Sequence, residues 1–271
     1  MQRTRKQHYI PRMILKNHTR FEIPMRFPLI YQYDEATEKE HAVRIDRVCY
    51  KDNLYEYKDD AGNVIDLNLI ENTFSVYEDK WNGIILSLKN RPELTREDLA
   101  FIYLLFPLQI MRMPEMLTLT SNWLKSTSPE LSEIESQRYA RILSLVPGQL
   151  DIKRNIILAK WAEICCKRSL QVYITDGSEP FILNGTFPVT GIYTGDEPIK
   201  NAEMYYPVSS DICLGLLDAR VVNPYKDVGI DFIRKFNWLS INKGSRFLYS
   251  AASIKDRIPE YPFLKHKSRI T

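Results

Sequence analysis

Hydrophobic residues recur at three- and four-residue steps in the middle of the chain, and this period predicts helices. The first series marks one buried helical face and contains Ile70, Phe74, Tyr77, Trp81, Ile84, Ile85 and Leu88. Arg91-Pro92 ends this helix. Thr95 with Asp98 is a capping-box pair, which predicts the start of a second helix. That helix carries Pro107, where we expect a kink, and ends near Pro114.

Three more helices follow from similar signals. Ser132 with Glu135 predicts a helix start, and Pro147-Gly148 predicts its end. Residues 151–167 predict the next helix, and residues 225–243 predict the last one.

The segments on either side of the helical middle are rich in β-branched and aromatic residues, and they predict strands. At the N-terminal side we expect a small antiparallel meander of residues 29–34, 42–50 and 53–57. At the C-terminal side, residues 171–175 and 180–183 predict a hairpin across Asp176-Gly177. Further strands are predicted at residues 205–208, 212–217, 219–222 and 247–250.

These elements together predict an α+β protein, with a helical middle flanked by an N-terminal meander and a C-terminal hairpin region. Because no linker rich in Gly, Ser or Pro separates the parts, we expect one domain over residues 1–271. Its parts are a β-rich lead (1–66), a helical core (67–169) and a β-rich segment with the last helix (170–271).

The composition is that of an ordinary globular protein, with 44% hydrophobic and 26% charged residues in 271. The net charge of +3 does not by itself require a nucleic acid or a membrane as partner. Basic residues concentrate in residues 1–26, which hold seven Lys or Arg and one acid, Glu22. This lead predicts either a solvated arm or a surface that faces phosphate.

The cysteines and the apolar segments favour a cytoplasmic protein. Cys49, Cys165, Cys166 and Cys213 form no CxxC pair, so we expect reduced and mostly buried thiols. We find no apolar stretch of signal-peptide length at the N-terminus and no membrane-spanning segment.

Several common catalytic motifs are absent from the sequence. It contains no GxxxxGK[ST], GxGxxG, HExxH or GxSxG, which argues against P-loop proteins, dinucleotide-binding folds, zincins and α/β-hydrolases. The four histidines are scattered, so we predict no metal site built on them.

The segment from His8 to Lys16 is the first candidate for chemistry. Pro11 favours an extended Ile10, which could place His8 near Arg12. Histidine transfers protons near neutral pH, and arginine stabilises charge on a phosphate. Metal-free phosphodiester cleavage needs this combination. The alternative is a histidine that caps backbone groups beside a surface arginine.

Gln109 and Arg112 form the second candidate, because they share a face of an apolar helix. A buried arginine needs a partner, and Glu78 on the preceding helix is the natural one. The pair is either structural or part of a polar site with His8 and Arg12.

Two weaker candidates remain. Glu71 and Glu78 lie seven residues apart on one helical face, where they form either a Mg²⁺ site or a solvated edge. Asn242 and Arg246 add donors for an anion, although Asn242 with Gly244 is also an ordinary helix end.

Several collinear segments of the chain form a recognisable set. They are Gln7 to Arg12, Leu15 to Asn17, Ile30 to Asp34, Val48 to Tyr55, Glu78, Leu108-Gln109, Arg112 to Pro114, Ile241-Asn242 and Arg246 to Ser250. Together they resemble a bacterial family known only as a domain of unknown function, DUF-4238. The resemblance implies an intracellular bacterial protein. It also implies a shared polar site of His8, Arg12, Glu78, Gln109 and Arg112, with Tyr9, Lys16, Asn242 and Arg246 as further ligand contacts.

The sequence departs from that family at two places. His18 stands where the family usually has Phe. The family's Phe-Ile-Thr-Ser-Asp-Asn-Pro segment is replaced by residues 181–188, which lack the Asp near Gly185 or Thr186. If that Asp is catalytic in the relatives, this chain is altered or inactive.

Three functions are consistent with these features. The first is a metal-independent nuclease or phosphodiesterase that acts on RNA in a toxin or phage-defence role. The second is a non-catalytic module that binds nucleic acid or another phosphate-bearing ligand. The third is a protein-interaction module with a structural polar cluster and an unknown partner.

Overall fold

The protein has an α+β fold, as the sequence predicts. The structure, a computed structural model, describes residues 5–19, 28–59, 61–65, 68–146, 156–193, 202–255 and 257–258. The predicted helix end at Pro147-Gly148 and the first part of the predicted 151–167 helix lie outside these residues, as do Arg3, Arg20 and Arg26 of the basic lead.

The helices and strands are numbered separately in chain order. The helices are α1 (Arg12–Asn17), α2 (Leu69–Ser87), α3 (Arg96–Met111), α4 (Pro114–Thr127), α5 (Glu133–Leu145), α6 (Ile156–Cys166) and α7 (Ile230–Asn242). The strands are β1 (Lys6–His8), β2 (Leu29–Asp34), β3 (Lys39–Arg44), β4 (Tyr50–Asp52), β5 (Tyr57–Lys58), β6 (Val64–Ile65), β7 (Ser169–Thr175), β8 (Leu183–Asn184), β9 (Thr190–Tyr193), β10 (Ala202–Pro207), β11 (Ile212–Leu217), β12 (Tyr225–Val228) and β13 (Phe247–Ser250).

The chain forms two compact units, each built from separate segments. The helical unit consists of Met1–Pro11, Cys49–Ser87 and Pro92–Lys167. The sheet unit consists of Arg12–Val48, Leu88–Arg91 and Arg168–Thr271. The expected single domain, with its three parts, stays a prediction.

The helical unit contains α2 to α6 and two short antiparallel ribbons, β1-β4 and β5-β6. Two predicted helix starts are confirmed, because Thr95 and Ser132 each form a capping box with the acid three residues later. α4 was not predicted. Pro114, taken from the sequence as a helix end, is the first residue of α4, where a proline loses no hydrogen bond.

The sheet unit contains two sheets, with strand orders β12-β7-β11-β10-β9 and β3-β2-β13-β8. α7 packs its apolar face on the first sheet, where Ile233 and Phe236 join Tyr173, Phe181 and Cys213 in one buried cluster.

Several predicted strand pairings are wrong. β7 pairs with β11 and β12, and β8 pairs with β13, so no hairpin forms across Asp176-Gly177. Residues 219–222 are not a strand. Tyr225–Val228 is a strand parallel to β7, so α7 begins only at Ile230. In the expected meander only β2 and β3 pair with each other, since β4 pairs with β1 and β5 with β6.

Two further properties are read from the described residues. None of their helices combines the length and apolar character that crossing a membrane requires. All four cysteines are free thiols, and Cys166 alone among them is exposed.

Candidate functional site

The candidate site is built on the ribbon of β1 and β4 in the helical unit. Its register places Lys6 opposite Asp52 and His8 opposite Tyr50. β4 lies between two residues with left-handed backbone, Cys49 (φ 52°) and Asn53 (φ 56°). A left-handed cysteine is uncommon and marks a backbone that the surrounding structure must hold in place.

One face of this ribbon combines a cation, an imidazole and an aromatic ring. The Lys6 Nζ lies 4.6 Å from the centre of the Tyr50 ring. The ring centres of His8 and Tyr50 lie 5.7 Å apart. Because side chains alternate along a strand, Lys6 and His8 point to the same side. Lys6 is exposed, Tyr50 is half-buried and His8 is buried.

Arg112, at the end of α3, fixes the backbone of this ribbon. Its Nη2 donates to the His8 carbonyl at 2.6 Å, and its Nε donates to the Tyr55 hydroxyl at 3.2 Å. Its Nη1 donates to Glu78 Oε1 at 3.0 Å, and its guanidinium lies 4.2 Å from the centre of the Phe74 ring. The predicted partnership of Glu78 and Arg112 is therefore confirmed.

The electrostatics of the cluster follow from this burial. Burial by itself would lower the pKa of Arg112, but the contacts with Tyr55 and Glu78 raise that pKa above its usual value. Burial raises the pKa of Tyr55 to about 12, although Arg112 opposes the shift. Both side chains therefore keep their protons at neutral pH, with Arg112 charged and Tyr55 neutral.

Neighbouring side chains also hold the main chain. Gln109 donates from Nε2 to the Tyr9 carbonyl at 3.0 Å. The Tyr55 hydroxyl donates to the His8 carbonyl at 3.1 Å, and Gln7 Oε1 accepts from the Tyr55 amide at 2.6 Å. The segment from Gln7 to Tyr9 is thus bound by partners from two other parts of the helical unit, the end of α3 and the turn that follows β4.

Glu71 is the titratable group of this cluster with a pKa near neutrality. Burial raises the pKa of its carboxyl to about 7; Arg112 lowers it, while Glu78 and Glu56 raise it further. A carboxyl with this pKa exchanges protons readily at neutral pH.

The described residues contain no group of three or more His, Cys, Asp or Glu placed to hold a metal ion. The possible Mg²⁺ pair therefore consists of Glu71 and Glu78 alone, and Glu78 already accepts a hydrogen bond from Arg112. A Mg²⁺ site at Glu71 and Glu78 stays a prediction.

The structure brings together six of the residues singled out from the sequence, namely His8, Tyr9, Glu71, Glu78, Gln109 and Arg112, in the helical unit. The other four belong to the sheet unit. Arg12 and Lys16 are exposed on α1, and Asn242 is the exposed last residue of α7. The Arg246 guanidinium lies 3.6 Å from an oxygen of Asp34 and is also exposed.

The segment that departs from the resembling family also lies in the sheet unit. A side chain at Gly185 would place its Cβ 2.8 Å from the Phe247 carbonyl oxygen, so this position cannot carry an Asp without a shift of backbone. The Thr186 hydroxyl lies 3.1 Å from that of Ser245.

Sequence reasoning did not single out Tyr50, Tyr55 or Glu56 for the site. Tyr50 and Tyr55 stand within the segment Val48 to Tyr55 that supports the family resemblance, which was the available signal. No helical spacing links these residues to Arg112, because they come from a ribbon and its following turn.

The fold and the site define an α+β protein in which a buried arginine–glutamate pair holds a short N-terminal ribbon. The chain belongs to the family described as "Protein of unknown function (DUF4238)", whose model matches residues 6–253. No curated protein and no solved structure matches it.

Proposed function

We propose that this protein cleaves phosphodiester bonds in RNA without a metal ion, at the ribbon face formed by Lys6, His8 and Tyr50. The observation that carries the proposal is the shared position of these side chains on one face of β1 and β4. Each supplies a different part of the chemistry.

The proposed reaction uses the 2′-hydroxyl of RNA as nucleophile. His8 takes the proton of this hydroxyl while its oxygen forms a bond to phosphorus. The bond from phosphorus to the 5′-oxygen breaks, and that oxygen takes a proton from water. The products are a 2′,3′-cyclic phosphate and a 5′-hydroxyl end.

Lys6 and Tyr50 bind the substrate in this proposal. The Lys6 ammonium is exposed and contacts a phosphate, where a cation lowers the energy of the charge that develops. Tyr50 offers a half-buried ring on which an unpaired base stacks, a common mode of contact with single-stranded RNA.

Glu78, Gln109 and Arg112 are positioning residues in this account. Arg112 and Gln109 contact the main chain of His8 and Tyr9, and Glu78 neutralises Arg112. Arg12, which the sequence also predicts as catalytic, belongs to the sheet unit and has no part in the proposed reaction.

The proposed setting is the cytoplasm of a bacterium. Indiscriminate cleavage of cellular RNA stops growth, and we propose a toxin or phage-defence role on that ground. The basic lead supports contact with a polyanion, because Lys6 belongs to it.

The test is a cleavage assay on labelled RNA and on DNA of the same base sequence, each with and without a chelator. We expect the full chain to cleave RNA in the presence of chelator and to leave DNA intact, since DNA lacks the 2′-hydroxyl. His8→Ala should lose this cleavage. His41→Ala is its matched control and should keep the cleavage, because His41 is an exposed histidine on β3. RNA cleavage that the chelator abolishes contradicts the proposed chemistry. Cleavage of the DNA as well as the RNA also contradicts it.

One observation favours the second candidate, a non-catalytic module that binds RNA. His8 is only 9% exposed, which restricts access to its ring. A binding module would hold RNA with strong salt dependence, keep that affinity in His8→Ala and show no cleavage.

A further inference from the structure

A second site lies between α4, α5 and the turn that follows β4. It is a cavity of about 220 Å³ in the helical unit. Its polar lining includes Lys51, Thr118, Asn122, Glu133, Gln137 and Arg141. The cavity is smaller than the roughly 300–1,000 Å³ typical of pockets for drug-sized ligands, so its size fits a small molecule.

Arg141 is the unusual residue of this cavity. It is half-buried on α5, and its hydrogen bonds go to carbonyl groups: Nε donates to Leu54 and Nη1 to Gln137, both at 2.9 Å. Among the described residues no carboxylate forms an ion pair with it. Burial lowers the pKa of Arg141, which reflects a guanidinium partly removed from water.

A half-buried cation without a counter-ion is partly removed from water, and the negative charge of a ligand would compensate this loss. The two contacts leave the Nη2 donors of Arg141 for such a ligand. Lys51 adds a second cation to the same cavity and forms no ion pair among the described residues.

The one acid that lines the cavity is already neutralised. Glu133 accepts from Lys125 Nζ at 2.6 Å through one oxygen and from Gln137 Nε2 at 3.0 Å through the other. Two cations therefore face the cavity without an available acid, and Asn122 adds an amide donor.

We infer that this cavity binds a small phosphate monoester, held by Arg141 and Lys51. A phosphate monoester carries about −1.5 to −2 charges at pH 7, which matches two cations. An arginine fork also suits its oxygens geometrically. The site is separate from the ribbon face, because Lys51 points to the side of β4 opposite Tyr50.

The test is calorimetric titration of the full chain with glycerol 3-phosphate and with inorganic phosphate, at constant ionic strength, beside glycerol and acetate. We expect both phosphates to bind and glycerol and acetate not to bind. Lys51→Ala should weaken glycerol 3-phosphate binding roughly tenfold, the effect of losing one charge-assisted hydrogen bond.

Two variants control this test. Lys160→Ala removes an exposed lysine of α6 and should leave the affinity unchanged. Arg141→Lys keeps the charge but loses the fork, and it should also bind at least about tenfold more weakly. Circular dichroism checks that Arg141→Lys is folded, and Lys51→Ala decides the result if it is not.

Each remaining outcome overturns the inference. No phosphate binding means that the cavity has no such ligand. Equal affinity in Lys51→Ala and wild type places any binding elsewhere, and acetate binding as strong as phosphate binding means a carboxylate ligand. These titrations do not depend on RNA cleavage, so failure of this inference leaves the proposed function standing.

Discussion

Arg112 donates a 2.6 Å hydrogen bond from Nη2 to the main-chain carbonyl of His8, a residue 104 positions earlier in the chain. This contact ties the end of α3 to the ribbon that carries the proposed catalytic histidine. It means that a buried guanidinium, neutralised by Glu78, determines where the His8 backbone lies.

The first prediction concerns this guanidinium. Arg112→Ala leaves the carbonyl of His8 and the carboxylate of Glu78 without their partner. We expect the free energy of unfolding to fall by about 3 kcal/mol, as found when one member of a buried ion pair is removed. Urea denaturation followed by circular dichroism measures the change.

Arg5→Ala is the control for this prediction. Arg5 pairs with Asp52 at 2.9 Å, but their side chains are 77% and 41% exposed. We expect a change within about 0.5 kcal/mol, because exposed pairs contribute little. If the free energy of unfolding falls equally in Arg112→Ala and Arg5→Ala, Arg112 does not anchor the ribbon.

The second prediction concerns the pH dependence caused by Glu71. The pKa of Glu71 is raised from 4.5 to about 7, mainly by burial, so the folded protein holds this proton more tightly than the unfolded chain. Its contribution to stability is therefore present below about pH 4.5 and is lost as the pH rises to about 7. Glu71→Gln should abolish this loss, which we expect to be roughly 2 kcal/mol given partial exposure.

Urea denaturation of wild type and Glu71→Gln between pH 5 and about pH 8 tests this sign. Glu97→Gln is the control, since Glu97 is 66% exposed and pairs with Lys80 on the surface. If the stability difference between Glu71→Gln and wild type does not change with pH, Glu71 titrates normally and the prediction is wrong.

The third prediction concerns His18 in the sheet unit. His18 is fully buried, and its Nε2 donates to the Pro207 carbonyl at 3.1 Å. Burial lowers its pKa from 6.5 to about 4, so the unfolded chain takes up this proton more readily than the folded protein. The stability from neutral His18 is present above about pH 6.5 and is lost as the pH falls towards 4.

His18→Phe should lack this acid sensitivity. We expect its free energy of unfolding, relative to that of wild type, to rise by about 3 kcal/mol between pH 7 and pH 4. This is the free energy that corresponds to the pKa shift of His18. Stability curves in urea at several pH values measure this gain, and His41→Phe should show none of it. If the stabilities of His18→Phe and wild type change in parallel with pH, His18 is not the cause of the acid sensitivity.

Much of the helical unit could be predicted, because its signals are local. The capping boxes at Thr95 and Ser132 mark helix starts within four residues of sequence. The period of apolar residues from Ile70 to Leu88 marks the buried face of α2. Glu78 lies on the helix that precedes the one carrying Arg112, and this order also predicted that the two residues would pair.

The sheet unit was predicted less well, because its pairings join distant segments. Asp176-Gly177 has the composition of a hairpin turn, yet β7 pairs with β11 and β12. Local turn composition does not determine which strand becomes the neighbour. For the same reason the ribbon face was missed, since only the β1-β4 register places Tyr50 opposite His8.

The most direct test of the proposed function is cleavage of a DNA strand that carries one ribonucleotide, in the presence of a chelator. The account predicts a single cut directly 3′ of that ribonucleotide, with a cyclic phosphate end, by wild type and His41→Ala. His8→Ala should cut at least about a hundredfold more slowly, the usual effect of removing a general base. Cleavage at other positions, or an equal rate in His8→Ala, would contradict it.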